Sequence, residues 1–254
     1  MTKERVSTGP IKEKLKEVGV DAILFDFDDT LIDTFELFNS RIQEFFDHIV
    51  EGSDLKREEL EIRFKQLNNE LYEKFGVATN RFDLVVDNLK EENNADVRSL
   101  LEAGKTILQK IYTTPPVLVP GAIETLNAIH KENIPMYLVT HANVNWTHFK
   151  LDHLNIKAYF ENLAIISENG HKTAEEWQKA INKFGLLPQN CLVVGDNVKG
   201  DILATHKIGV KHHAWIDMGK GWILYREGDL PESVVTVPGV HELIPAVLSM
   251  TQNK

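Results

Sequence analysis

Cysteine is nearly absent from this chain: Cys191 is the only one in 254 residues. An internal disulfide is therefore excluded, and the sequence suits a reducing cytosol. Cys191 lies in the apolar run Cys191-Leu-Val-Val194, which reads as a small buried side chain and not as a nucleophile. Long hydrophobic runs are missing as well, with none near the roughly 20 residues that span a bilayer. Met1-Thr-Lys-Glu-Arg-Val6 has no apolar segment behind its charges, so no secretory signal is expected. Positive charge is in deficit: 28 Lys and Arg against 38 Asp and Glu give a net charge of −10. That balance argues against nucleic acid or an anionic membrane as the main partner. Internal repeats and low-complexity tracts are also absent. The expectation is a cytoplasmic protein whose partner is a small molecule. If that molecule is phosphorylated, local positive charge must offset the chain's own, and a metal ion is the obvious source. Oligomeric state is not legible.

Against this background one stretch stands out, Ala22-Ile-Leu-Phe-Asp-Phe-Asp-Asp-Thr-Leu31. Ala22 to Phe25 is a short apolar run suited to a strand buried on both faces of a parallel sheet. It ends abruptly in Asp26, Asp28 and Asp29. Carboxylates are rarely buried without partners, so three of them against a core strand need an explanation. In open α/β sheets ligands bind beyond the carboxyl ends of the strands. A strict strand would send Asp26 and Asp28 to opposite faces. A turn out of the sheet just after Asp26 lets both reach one pocket.

From residue 35 to 114 apolar residues recur at three and four with no convincing strand. Leu37, Ile42, Phe45, Phe46 and Ile49 form one stripe, and Leu60, Phe64, Leu67, Leu71 and Phe75 a second. Phe82, Val85, Val86 and Leu89 form a third, and Val97, Leu100, Leu101, Ile107, Leu108 and Ile111 a fourth. Four amphipathic helices make an inserted all-α bundle, with these aromatics as its core. Pro115-Pro116 closes the insert. On either side of it strands and helices alternate. Helices are expected around Ile11 to Val18, Ala122 to Ile129, Trp146 to Leu154, Ala174 to Phe184, Ile202 to Ile208 and Leu243 to Leu248. Strands are expected at Met136–Val139, Ala164–Ile166, Cys191–Val194, Ala214–Ile216 and Val234–Val237. The fold class is α/β, a Rossmann-like parallel sheet core over 1–34 and 115–254 with a helical cap domain over 35–114.

Each core strand carries a polar group at its exit. The first ends in Asp26 and Asp28, the second in Thr140 followed by His141. The third leads to Lys172, and the fourth ends in Asp196 with Asp201 shortly after. Asp26 and Asp196, helped by Asp201, make an oxygen donor set suited to Mg2+. Such a cation offsets the repulsion between an anionic nucleophile and an anionic phosphoryl group. Asp26 then serves as nucleophile, and Asp28 as general acid and base. Thr140, His141 and Lys172 are the candidate phosphate-binding residues, with Lys199 as the competing cation. His206, His212 and His213 read as helix and strand residues, not as a zinc site. Gly219-Lys-Gly221 reads as a turn. Trp215 and Trp222 read as packing. Arg41, Lys74 and Arg81 are possible specificity contacts, although each reads first as a solvated charge.

Asp26-Phe-Asp28-Asp-Thr30-Leu-Ile-Asp-Thr34 resembles the first motif of the haloacid dehalogenase-like hydrolases, and of their metal-dependent phosphatases in particular. The resemblance runs from Ala22 to about Gly209. It implies a nucleophile and metal ligand at Asp26, and an acid/base at Asp28 that also ligates the metal through its backbone carbonyl. It further implies phosphate contacts at Thr140 and Lys172, and a metal site completed by Gly195-Asp196 and Asp201. Three positions depart from the usual pattern: His141 after Thr140, Thr173 after Lys172, and the longer spacing from Asp196 to Asp201. The activity so implied is Mg2+-dependent hydrolysis of a small phosphorylated metabolite through an aspartyl-phosphate. A phosphotransferase or mutase on the same fold and a non-catalytic phosphate-binding regulator are the alternatives.

Overall fold

The structure is a computed structural model and describes residues 9–251. Helix α1 (Pro10–Glu17) buries Ile11 and Leu15 and leads into β1 (Ala22–Phe25), in which all four side chains are buried. Four helices follow: α2 (Thr34–Glu51), α3 (Arg57–Phe75), α4 (Arg81–Glu91) and α5 (Ala95–Gln109). The chain then alternates through α6 (Ala122–Lys131), β2 (Met136–His141), α7 (Val144–Leu154), β3 (Asn162–Ile166), α8 (Ala174–Lys183) and β4 (Cys191–Gly195). A π-helical turn, Val198–Leu203, runs into α9 (Ala204–Lys207). β5 (His212–Ile216), α10 (Ile223–Arg226), β6 (Val234–Val237) and α11 (Leu243–Ser249) complete the described chain.

The six strands form one sheet in the order β3-β2-β1-β4-β5-β6, and every pairing is parallel. Alternation along the strands feeds two cores. Ile23, Phe25, Leu138 and Val194 face one side with residues of α1, α6 and α11. Ala22, Leu24, Val139 and Val193 face the other, against Trp177 and Ile181 of α8. Cys191 belongs to this second core and is fully buried, as its apolar neighbours implied. Each expected strand is present, and β3 begins two residues earlier than its apolar pattern indicated. β1 lies between β2 and β4, so the strand order reverses there and opens a crevice at the carboxyl ends of β1 and β4.

Helices α2 to α5 enclose a separate cluster built on Phe45, Phe46, Phe64, Phe82 and Val85. Two features lock this bundle onto the sheet domain. Trp146 of α7 inserts among the bundle's aromatics, with its ring 5.7 Å from Phe38 and 5.3 Å from Tyr112. Gly76, just after α3, takes φ of 62°, and a Cβ there would strike the carbonyls of Glu168 and Gly170. The next residue, Val77, donates its N–H to Glu168 O at 2.9 Å. The bundle thus touches the very loop that carries Lys172.

No described helix is long and apolar enough to cross a membrane.

Candidate active site

The crevice is built from strand ends. Asp26 N still donates to Val194 O at 2.8 Å, continuing the ladder between β1 and β4 by one residue. The chain then turns out of the sheet. Asp29 takes a left-handed φ of 57°, its N–H donates to Ile32 O at 2.8 Å, and its Oδ1 accepts from Phe35 N at 2.6 Å. This turn brings Asp28 to the same cavity as Asp26, so the carboxylates two apart in sequence share one pocket.

Asp196 follows β4, and Asn197 caps the turn after it, its Oδ1 accepting from Gly200 N at 2.8 Å. Both Asp201 N and Ile202 N donate to Asn197 O, at 2.8 and 3.3 Å. That widened turn is the π-helix, and it accommodates the longer spacing by aiming Asp201 back at the strand. Gly195 is required here, because a Cβ on it would collide with the Asp201 carboxylate. As a result, ligand atoms of Asp26, Asp196 and Asp201 all lie within 4.8 Å of one another.

Lys172 is the cation at this cluster. Its Nζ lies 2.5 Å from Asp26 Oδ1 and 2.5 Å from Asp201 Oδ1, and 4.8 Å from the centre of the Trp177 ring. The loop after β3 delivers it, and Thr173 caps α8 immediately afterwards by accepting from Glu176 N. Lys199, the competitor, points elsewhere and pairs with Glu227 at 3.2 Å. Thr140 is buried at the end of β2, and its hydroxyl lies 3.4 Å from Asp28 Oδ2. His141 lines the cavity, and its buried Nε2 has no hydrogen-bond partner among the described residues.

The electrostatics follow from crowding. Burial pushes the Asp26 carboxyl up to about 7; Lys172 opposes the shift, and Asp201 and Asp28 reinforce it. Asp196 is raised well above the usual carboxylate range by desolvation, with Asp29 and Asp26 adding repulsion. Desolvation works against the Lys172 ammonium, but Asp201 and Asp26 outweigh it and hold its pKa above the ordinary lysine value. Burial, with Lys172 and His171 nearby, lowers His141 to about 4, so its ring is neutral at pH 7. Once ionised, the three clustered carboxylates outnumber the single ammonium and leave a deficit of positive charge. An all-oxygen donor set with that deficit fits a hard divalent cation. Among the described residues this is the one group of acidic, His or Cys side chains arranged to hold a metal. His212 and His213 instead enter β5 and bond Val18 O and the Thr205 hydroxyl.

Two site residues were not singled out from the sequence as ligands of Asp28. Asp28 Oδ1 accepts from Thr34 Oγ1 at 2.6 Å and from Lys150 Nζ at 2.5 Å. Lys150 is fully buried, with Nζ 3.9 Å from the centre of the Trp146 ring and 4.9 Å from that of Phe27. A signal was available, since Lys150 stands four residues after Trp146 and so on the apolar face of its helix. Arg81, a possible specificity contact that read first as a solvated charge, is buried at 7% exposure and lines the cavity. Arg41, also read first as a solvated charge, is half-buried and paired with Glu44. Trp222 packs on Phe35 and Phe38 as expected, but it also lines the cavity. The cavity measures about 610 Å³ and lies between the strand ends and the bundle.

A model of the family described as haloacid dehalogenase-like hydrolase matches residues 20–209 of the 254. The chain belongs to the haloacid dehalogenase-like hydrolases. The match takes in every strand exit described above. Among relatives, a glyceraldehyde 3-phosphate phosphatase of Pyrococcus furiosus is 27% identical over 83% of this chain and 85% of its own. A pyrophosphatase of Bacillus velezensis is 27% identical, covering 76% of this chain and 81% of its own. An N-acylneuraminate-9-phosphatase of Mus musculus is 22% identical over 91% and 98%. Among solved structures, a haloacid dehalogenase-like hydrolase of Xanthomonas campestris superposes with a TM-score of 0.68 at 16% identity, covering 90% of this chain and 91% of that one. A Bacillus subtilis hydrolase of the family, bound to magnesium, gives 0.62 at 17% identity over 91% and 99%. These two likenesses concern the shared α/β fold.

Proposed function

We propose that this chain is a Mg2+-dependent phosphatase that hydrolyses a small phosphorylated metabolite through an aspartyl-phosphate on Asp26. The observation that carries the reading is the convergence of Asp26, Asp28, Asp196, Asp201 and Lys172 on one cavity. Phosphatase names among the relatives support the same reading. In it, the described residues within 1–34 and 115–254 form the catalytic domain, and 35–114 form a cap that closes over the substrate.

Asp26, Asp196 and Asp201 would hold Mg2+, together with the Asp28 backbone carbonyl. The bound cation supplies positive charge that offsets repulsion between the Asp26 carboxylate and the phosphoryl group. Lys172 orients the Asp26 carboxylate through Oδ1. An oxygen of that carboxylate forms a bond to phosphorus while the bond from phosphorus to the ester oxygen breaks. The departing alkoxide takes its proton from Asp28. Water then attacks the phosphorylated Asp26, Asp28 accepts a proton from it, and inorganic phosphate leaves with the carboxylate restored. Thr140 and Lys172 donate to phosphoryl oxygens, where charge spreads in the transition state. Neutral His141 lines the same cavity and adds no charge to it. Thr34 and Lys150 hold the Asp28 carboxyl toward the leaving group.

An aryl phosphate assay with Mg2+ and with a chelator tests this reading. Turnover that requires the metal supports it. Ligand binding with no turnover under either condition would favour a regulatory pocket instead.

A further inference from the structure

The cavity is electrostatically two-sided. Its sheet side is acidic, with Asp26, Asp28, Asp29, Asp196 and Asp201. The wall supplied by α2, α3 and α4 contains Lys65 and Arg81 and not one carboxylate, in a chain that carries ten more acidic than basic residues. Arg81 is the one buried arginine among the described residues. Its guanidinium stacks on Tyr72 and Phe82, 5.5 and 5.3 Å from the ring centres. Nε donates to Asn68 Oδ1 at 3.0 Å and Nη1 to Gly76 O at 2.5 Å. Both acceptors are neutral. No described carboxylate lies within ion-pair distance, and Nη2 has no hydrogen-bond partner among the described residues. Lys65 likewise has no ion pair there. By contrast Arg41, Arg57, Arg63 and Arg226 each meet a carboxylate.

A buried guanidinium is costly unless its charge is met. Two neutral acceptors and two aromatic faces fix the orientation of Arg81 without neutralising it. Arg81 lines a cavity that is much larger than a phosphoryl group requires, and its Nη2 is left for a ligand. We infer that the substrate is a phosphomonoester bearing a second anionic group, which Arg81 receives, with Lys65 at the rim adding attraction. The inference rests on the phosphatase reading for the identity of the first group. Sugar phosphates and other esters whose leaving alcohol is neutral are then poor substrates, and phosphorylated acids or bisphosphates are good ones.

The test measures binding by calorimetry to the full chain carrying Asp26→Asn, with Mg2+ present, so that turnover does not interfere. The probes are two matched pairs: glycerol 3-phosphate against 3-phosphoglycerate, and fructose 6-phosphate against fructose 1,6-bisphosphate. The expected result is that the doubly anionic member of at least one pair binds about tenfold more tightly, the scale of one charge-assisted hydrogen bond. Which pair discriminates tells carboxylate from phosphate. Adding Arg81→Gln should erase the preference while leaving affinity for the singly charged member nearly unchanged, which a merely structural role for Arg81 would not do. Equal affinities within both pairs, binding of no probe, or a preference that survives Arg81→Gln overturns the inference. If Arg81→Gln fails to fold, the pair comparison in the parent protein decides alone. Turnover of an aryl phosphate with no second charge separately reports whether the phosphatase reading stands.

Discussion

Lys150 Nζ lies 2.5 Å from Asp28 Oδ1, at the end of a side chain that is itself wholly buried. The ammonium is sandwiched between Trp146 and Phe27, so it cannot swing away to solvent, and it fixes the Asp28 carboxyl from the α7 side. Replacing Lys150 by methionine keeps the volume and removes the contact. Asp28 retains the Thr34 hydroxyl and some exposure to water, so the loss of stability should not exceed about 2 kcal/mol. Activity should fall roughly tenfold to a hundredfold, since a general acid works only when it is positioned. Lys150→Arg should recover part of it. Unfolding and initial-rate measurements on the same preparations check both expectations.

Asp28→Asn removes the group proposed to give its proton to the leaving oxygen. The rate on an alkyl phosphate should drop by about 10²–10⁴. An aryl phosphate with an acidic leaving group departs without help, and its first step should suffer far less. The ratio of the two losses is the readout. Equal losses on both substrates would place Asp28 outside proton transfer.

Metal affinity should depend on pH with a definite sign. Burial holds Asp26 near 7 and Asp196 well above the ordinary carboxylate value in the metal-free protein, so both carry protons that a cation must displace. Raising the pH removes those protons in advance. The stabilisation that Mg2+ confers should therefore be small at pH 5.5 and grow as the pH climbs through 7. Because burial depresses His141 to about 4 and His213 to about 3, these groups alter the stability of the metal-free chain below pH 6.5. The difference in Tm with and without Mg2+ at each pH is the quantity to plot, since the histidine contribution is common to both.

Gly195→Ala places a methyl group against the Asp201 carboxylate. The π-helical turn has to shift, at a cost of about 1–3 kcal/mol, the range for overpacking. The three carboxylates would no longer converge. Mg2+ should then give less stabilisation than it gives the parent, a comparison a thermal melt makes directly.

Periodicity located each of the six strands, because buried parallel strands are short apolar runs bounded by breaks, and these have few competing readings. The residues at the strand exits were legible for the same reason: Asp26, Thr140 and Asp196 each end an apolar run. Lys172 was harder, since it lies six residues past Ile166, and only the folded loop shows it between Asp26 and Asp201. Lys150 was not legible as a site residue, and Arg81 was legible only as one of three possible specificity contacts, each read first as a solvated charge. A lone cation in a helix is usually solvated, and its burial here depends on partners far away in sequence: Asp28 for Lys150, and the Tyr72 face and Gly76 carbonyl for Arg81. The π-helix was unreadable too, because it arises from two N–H groups sharing Asn197 O and from no change in apolar pattern.

The central claim is that phosphorus passes through a covalent bond to Asp26. Acid-quenching the enzyme during turnover of a phosphate ester with Mg2+, followed by intact-mass measurement and peptide mapping, reports on that bond directly. The expected result is one phosphoryl group on the peptide containing Asp26, absent in Asp26→Asn together with all turnover. Steady hydrolysis by an Asp26→Asn protein at the parent's rate, or a phosphoryl group mapped to another residue, would contradict it.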